Sequence, residues 1–272
     1  MISHLVVGGC LLLIYAAIVM VAAPVAVSRR RWTSALPRTA ITVWAGALGS
    51  GVIAMLTSFV CAIAAASTLA TRPRAPLSLH SALSGIGLTL TACLMTAVGG
   101  GLLCVAVYRL AVAAVDRHRL HQDVSAAFGP SHAWTDTVVV DSDAASAISL
   151  GGRHPLILVS SLLAGRLTPD ELEAVVEHER GHLAQRHHTL LQVADLQYRC
   201  APALPCAQAL ERSLHLLVEL AADDHAARRC GVAVTASALR ALASVTSEDG
   251  FALRARRLER RLASPVPEAS HG

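Results

Sequence analysis

The sequence predicts an α+β protein in which three amino-terminal transmembrane helices precede a mainly helical domain with a small β-hairpin or sheet. Three observations carry that prediction. Hydrophobic residues make up 54% of the 272 and charged residues only 15%, a balance foreign to soluble globular chains. Long uncharged runs fill the first 107 residues, and from about residue 116 β-branched runs and charged helical segments replace them. In that second part His178-Glu179-Arg180-Gly181-His182 reads H-E-x-x-H, a pattern with a metal-binding mechanism behind it. The expected organisation is a membrane part over 1–115, a cytoplasmic domain over 116–263 and a disordered tail over 264–272.

Residues 5–27 carry no charge, and at about 1.5 Å per residue they can cross a hydrocarbon core of ~30 Å. A signal peptide would be shorter and would start with a charged region; here Arg29-Arg30-Arg31 follow the run as a stop-transfer flank. A second uncharged run covers 40–70 and a third 83–107. The first loop holds Arg29, Arg30, Arg31 and Arg38, the second only Arg72 and Arg74, so the positive-inside rule puts the first loop and everything from Asp116 onward in the cytoplasm. Gly46, Gly49, Ser50 and Gly51, and then Gly99, Gly100 and Gly101, suit close packing of helices. The net charge of +4 comes wholly from Arg and is too small and scattered for direct nucleic-acid binding. The seven Cys match no zinc knuckle or C-x-x-C pair, and Cys200, Cys206 and Cys230 read as buried free thiols.

In the second part, 137–140 is a β-branched strand, and 144–150 and 155–160 flank Gly151-Gly152 as the two strands of a hairpin. The strand at 155–159, directly before the metal helix, reads either as an edge able to pair with an extended peptide or as plain core. Thr168 caps the next helix, Pro169 fits its first position and Glu171 completes a capping box. Leu172, Val175, Val176 and Leu183 give it a buried face, and it is expected to run on through Gln185. Residues 189–217 are moderately apolar but hold Asp195, Arg199, Glu211 and Arg212, which suits a surface or re-entrant segment better than a fourth span; Pro202 and Pro205 break it. A second long helix follows at 210–229, with Leu210, Leu214, Leu217 and Ala221 on one side. The stretch 252–262 carries five Arg among leucines, and reads as a helix that either holds anionic lipid or packs on the domain.

The chemistry follows from helix geometry. Residues four apart share a face, so His178 and His182 can converge on one metal ion, and Glu179 beside them can take a proton from a water held there. Glu219 and Asp223 are likewise four apart on the second helix. One carboxylate can complete a three-ligand zinc site, one ion per chain, and the other can hydrogen-bond a ligating imidazole. His188 is a rival third ligand, but on a continuing helix it points away from His182, and no glycine stands at position 185 to turn it back. His225 and His215 are weak candidates for a donor to a reaction oxyanion.

The order of three spans, a hairpin, His178-Glu179-Arg180-Gly181-His182 and then Glu219-Leu220-Ala221-Ala222-Asp223 resembles the membrane gluzincins over nearly the whole chain. It is most similar to the BlaR-type antirepressor family of β-lactam sensor-transducers, with the HtpX and CAAX prenyl protease family as a near relative. The resemblance implies a gluzincin domain in which His178, His182 and Glu219 bind zinc, Glu179 is the catalytic base and Asp223 buttresses a ligand. It also implies a multi-pass cell-membrane protein with a protein or peptide substrate, a winged-helix transcriptional repressor among the candidates. The chain ends about fifty residues after Glu219 without an extracellular penicillin-binding domain, so β-lactam sensing is not expected. The alternative is a catalytically silent zinc-binding scaffold, against which an intact Glu179 argues.

Overall fold

A computed structural model describes residues 2–29, 32–70, 107–116, 136–151, 155–200, 205–246 and 248–263, with scattered further positions between 87 and 123. The continuous elements are α1 (Ile2–Arg29), α2 (Trp32–Ala35), α3 (Pro37–Ala70), β1 (Thr137–Val140), β2 (Ala147–Leu150), β3 (Leu156–Ser160), α4 (Ser161–Arg166), α5 (Pro169–Ala184), α6 (His187–Cys200), α7 (Pro205–Cys230), α8 (Val232–Thr246) and α9 (Asp249–Ala263). They fall into two compact units, Met1–Ala111 with Ala194–Leu214, and Val112–Val193 with His215–Gly272.

In the first unit, two stretches are long and apolar enough to cross a membrane, His4–Val27 in α1 and Pro37–Thr68 in α3. Two such helices, rather than three, are seen among the described residues; the expected third span, 83–107, lies almost wholly outside them. α1 and α3 meet where small side chains let them. Ser58 Oγ donates to the Gly9 carbonyl over 2.9 Å, Tyr15 Oη donates to Ser50 Oγ over 3.0 Å, and Gly51 lies against Met20 and Ala16. Among the described residues, a Cβ at Gly46 or Gly49 would meet nothing within 4 Å. Val7, Leu11, Ile14, Ile53, Val60 and Ile63 all point outward. Such an apolar belt is unfavourable in water and neutral in hydrocarbon. The segment expected at 189–217 is divided between α6 and α7. Gln197 of α6 accepts a hydrogen bond from the buried Trp44 indole at 3.2 Å, and Ala194, Ala207, Leu210 and Leu214 are buried.

In the second unit the three strands form one sheet in the order β1-β3-β2. β2 and β3 are the expected antiparallel hairpin, and β1 lies parallel to β3 on its other side. The reading of 155–159 as a free edge is therefore corrected. β3 is the central strand, with both rows of backbone groups paired, and the edge beside it belongs to β2. β3 takes the centre because Ile157 and Val159, both essentially inaccessible, cover one side of a core completed by Ala174, Val175 and Val176 of α5, Leu163 and Ala238. Each large side chain buried in this way contributes about 1.5–3 kcal/mol. α9 docks on α8 through Ala255 and Leu258, both fully buried against Ala236 and Leu239, so the arginine-rich stretch is a helix packed on the domain.

The start of α5 has the expected capping box. Glu171 N donates to Thr168 Oγ1 over 3.3 Å, and Thr168 N donates to Glu171 Oε2 over 3.0 Å. Ser237 of α8 adds a third contact, donating to Glu171 Oε1 over 2.7 Å. That hydroxyl, followed by the Thr168 N–H, holds the Glu171 carboxyl below its ordinary value of 4.5. A carboxylate with a lowered folded pKa stabilises the fold fully above its unfolded value, and the contribution fades as pH falls through the folded one. Glu171→Gln should therefore melt at a lower temperature than the parent at pH 7, by an amount corresponding to about 1 kcal/mol. The gap between the two melting curves, followed by circular dichroism, should shrink as the pH is taken below the ordinary value of 4.5.

Candidate metal centre

α5 sets His178 and His182 one turn apart, and their Nε2 atoms lie 3.1 Å from each other. α7 brings Glu219 to both: Oε2 is 3.3 Å from His178 Nε2, and Oε1 is 3.4 Å from His182 Nε2. Ligand atoms about 2.0–2.1 Å from a tetrahedral ion are separated by about 3.3 Å, so the three side chains already have the spacing of a zinc-ligand face. Two neutral imidazoles and a carboxylate also suit zinc chemically, and among the described residues these three are the group of His, Cys, Asp and Glu side chains able to hold a metal ion.

Each imidazole is oriented through its other nitrogen. Asp223, fully buried, lies 3.1 Å from His178 Nδ1 through Oδ1. An ionised carboxylate only accepts, so Nδ1 carries a proton, and Nε2 is the nitrogen that a metal would take by displacing the second proton. His182 Nδ1 is 3.1 Å from Nδ1 of His187, a residue that sequence reasoning passed over. The reason lies in the helix end. α5 stops at Ala184 rather than continuing, Gln185 caps it, and Arg186 takes a left-handed φ of 51°. The Gln185 amide donates to the carbonyls of Gly181 and Ala221, at 3.2 and 3.4 Å, which fixes the stop. The turn buries His187 behind His182, while His188 is exposed and lines a neighbouring groove with Arg186, Thr189 and His182.

Glu179 stands next to the ligands and lines a cavity of about 330 Å3 with His178, His182, Glu219, Asp223 and Arg254. Burial raises its carboxyl, opposed by the His178 charge and by hydrogen bonds from the Ser149 side chain and backbone on β2. Burial would lower His178, but hydrogen bonds to Asp223 and Glu219 raise it to about 9. His182 is lowered to about 4 by burial and by the His178 charge. Burial works against the Glu219 carboxylate, yet its hydrogen bond to His178, and the charges of His178 and Arg254, bring it down to about 2. His225 faces Glu177 at 3.5 Å and His215 is exposed; neither lines the cavity.

Two further features position the ligand helices. Arg180, between the imidazoles, donates Nε and Nη2 to the two oxygens of Asp136 at 2.7 and 2.6 Å, and Nη1 to Glu177 at 2.7 Å, which ties α5 to the residue before β1. Gly181 is where α5 and α7 touch: a Cβ there would lie 3.0 Å from the His225 Cβ and 3.2 Å from the Ala222 Cα. The glycine within the motif was a visible signal of this approach, and Ala222 is its small partner.

A family model described as peptidase family M48 matches residues 113–213. The match supports a zincin-type metallopeptidase; it includes His178, Glu179 and His182 and stops short of Glu219. No curated protein and no solved structure matches the chain.

Because the His225 Cβ and the Ala222 Cα, neither of them the far end of a flexible side chain, lie opposite Gly181, a larger residue has to push α7 away and carry Glu219 with it. Gly181→Val should weaken zinc binding by roughly tenfold or more, measured by competition with a chromogenic chelator. An unchanged affinity would show that the contact does not set the ligand spacing.

Proposed function

We propose that this chain is an integral-membrane zinc endopeptidase, with His178, His182 and Glu219 as ligands, Glu179 as the base and Asp223 orienting His178. The observation that carries the reading is the mutual spacing of 3.1–3.4 Å among the three candidate ligands, with a buried carboxylate next to them in sequence. Zinc, when bound, would polarise the scissile carbonyl and make a water acidic enough to attack at neutral pH. The residues of the chain do the rest. Glu179 Oε accepts the proton from the attacking water and delivers it to the departing amine, and burial, which raises its carboxyl, makes it a stronger base than an exposed glutamate. Asp223 holds the His178 ring through Nδ1 throughout. The far side of β2, where no described residue adds a strand and whose Ser149 meets Glu179, suits an extended peptide added as a further strand.

The outward apolar surface of α1 and α3 supports a membrane setting. The arginine count of the first loop, taken together with a third span at 83–107 as expected from the sequence, supports a cytoplasmic catalytic domain, and the resemblance to the antirepressor family supports a cytoplasmic repressor of winged-helix type as the substrate class.

Glu179→Gln keeps every ligand and removes the base. It should bind zinc as the parent does and hydrolyse a mixed fluorogenic peptide library slower by several orders of magnitude. Equal rates for variant and parent would sink the mechanism. A reporter that fluoresces only in the cytoplasm, fused after Gly272, should give signal; a stronger signal from a reporter active only outside would reverse the orientation.

A further inference from the structure

We infer that Arg254 of the carboxy-terminal helix is a positioning residue of the metal centre, the group that holds the carboxylates of Glu219 and Asp223 where the zinc ligands need them. The inference rests on the zinc reading above. The Arg254 fork closes on Asp223, with Nε 2.8 Å from Oδ2 and Nη2 2.6 Å from Oδ1, and its remaining nitrogen, Nη1, lies 3.0 Å from Glu219 Oε2. One planar cation therefore touches both the candidate third ligand and the residue that orients His178. Asp223 is fully buried and the Arg254 side chain is only 12% exposed, so neither group has water as a ready substitute. A guanidinium can do this because its donors are fixed in a plane and serve two carboxylates at once; an ammonium at the same place is a point charge without that geometry.

The placement is specific within an arginine-rich helix. Ala255 and Leu258 lock the register of α9, and that register turns Arg254 to the metal centre, while Arg257 and Arg261 both go to Asp224. Arg256 and Arg260 are exposed. The Arg257 pairing with Asp224 is of the same kind, two nitrogens at 2.8 and 3.1 Å from a buried carboxylate, but involves no candidate ligand. It is a built-in control.

Two effects of Arg254 oppose each other. Its charge repels a dication and should weaken zinc binding, whereas its fork orders two carboxylates and should strengthen it. Pure charge repulsion predicts that Arg254→Met tightens zinc binding and Arg254→Lys leaves it unchanged. Positioning predicts that both weaken it.

The experiment is a zinc dissociation constant for the full-length chain in detergent, by competition with a chromogenic chelator, on the parent, Arg254→Met, Arg254→Lys and Arg257→Met. Both Arg254 variants should bind roughly 10- to 100-fold more weakly, with Arg257→Met within about twofold of the parent. If either Arg254 variant holds zinc as tightly as the parent, the assignment is overturned. It is equally overturned if Arg257→Met weakens zinc as much as Arg254→Met, since α9 would then act only through folding. A parent that binds no zinc would instead refute the metal reading itself.

Discussion

Every feature of the centre depends on how closely α5 and α7 approach at Gly181 and Ala222. With no side chain on one helix, and the methyl of Ala222 and the Cβ of His225 on the other, the backbones come near enough for Glu219 to reach two imidazoles at once. One turn further along α7, Asp223 then falls beside His178 Nδ1 without any adjustment. The approach also concentrates charge. Two carboxylates from α7 and Glu179 line one cavity, and so much negative charge in one place is tolerable only when each group has a partner. His178, Arg254 and the Ser149 donors supply those partners, which is why the directions of the pKa shifts divide so sharply between neighbouring side chains.

The parts legible in the sequence were those fixed by short spacing. The capping box of Thr168 and Glu171, the paired imidazoles of the motif, the β-branched run of β1 and the buried stripe of Leu210, Leu214, Leu217 and Ala221 all follow from periodicity within one segment, and the structure has each of them. Glu219 and Asp223 were legible as a pair on one helix face, and the structure brings them to the imidazoles.

What the sequence hid was set by contacts between segments. Strand order is one example: the run at 155–160 looks the same whether one neighbour pairs with it or two, and only the return of β1 on its far side makes it central. The end of α5 is another. Gln185 favours helix on propensity alone, and what stops it is in part a hydrogen bond from its side chain to the Ala221 carbonyl on a different helix. That unforeseen turn placed His187, not His188, beside the centre. The five arginines of α9 look equivalent in a list of residues, and the register set by Ala255 and Leu258 is what distinguishes them.

The capped end of α5 has a consequence for the entropy of building the site. From Thr168 to His187 the cap, the helix and the turn at Arg186 close loops of only a few residues. Glu219 closes a loop of about 40 residues onto the same atoms, and by the logarithmic cost of loop closure this step is dearer by about 2 kcal/mol. The centre is therefore the sum of an inexpensive local half and a costly distant one.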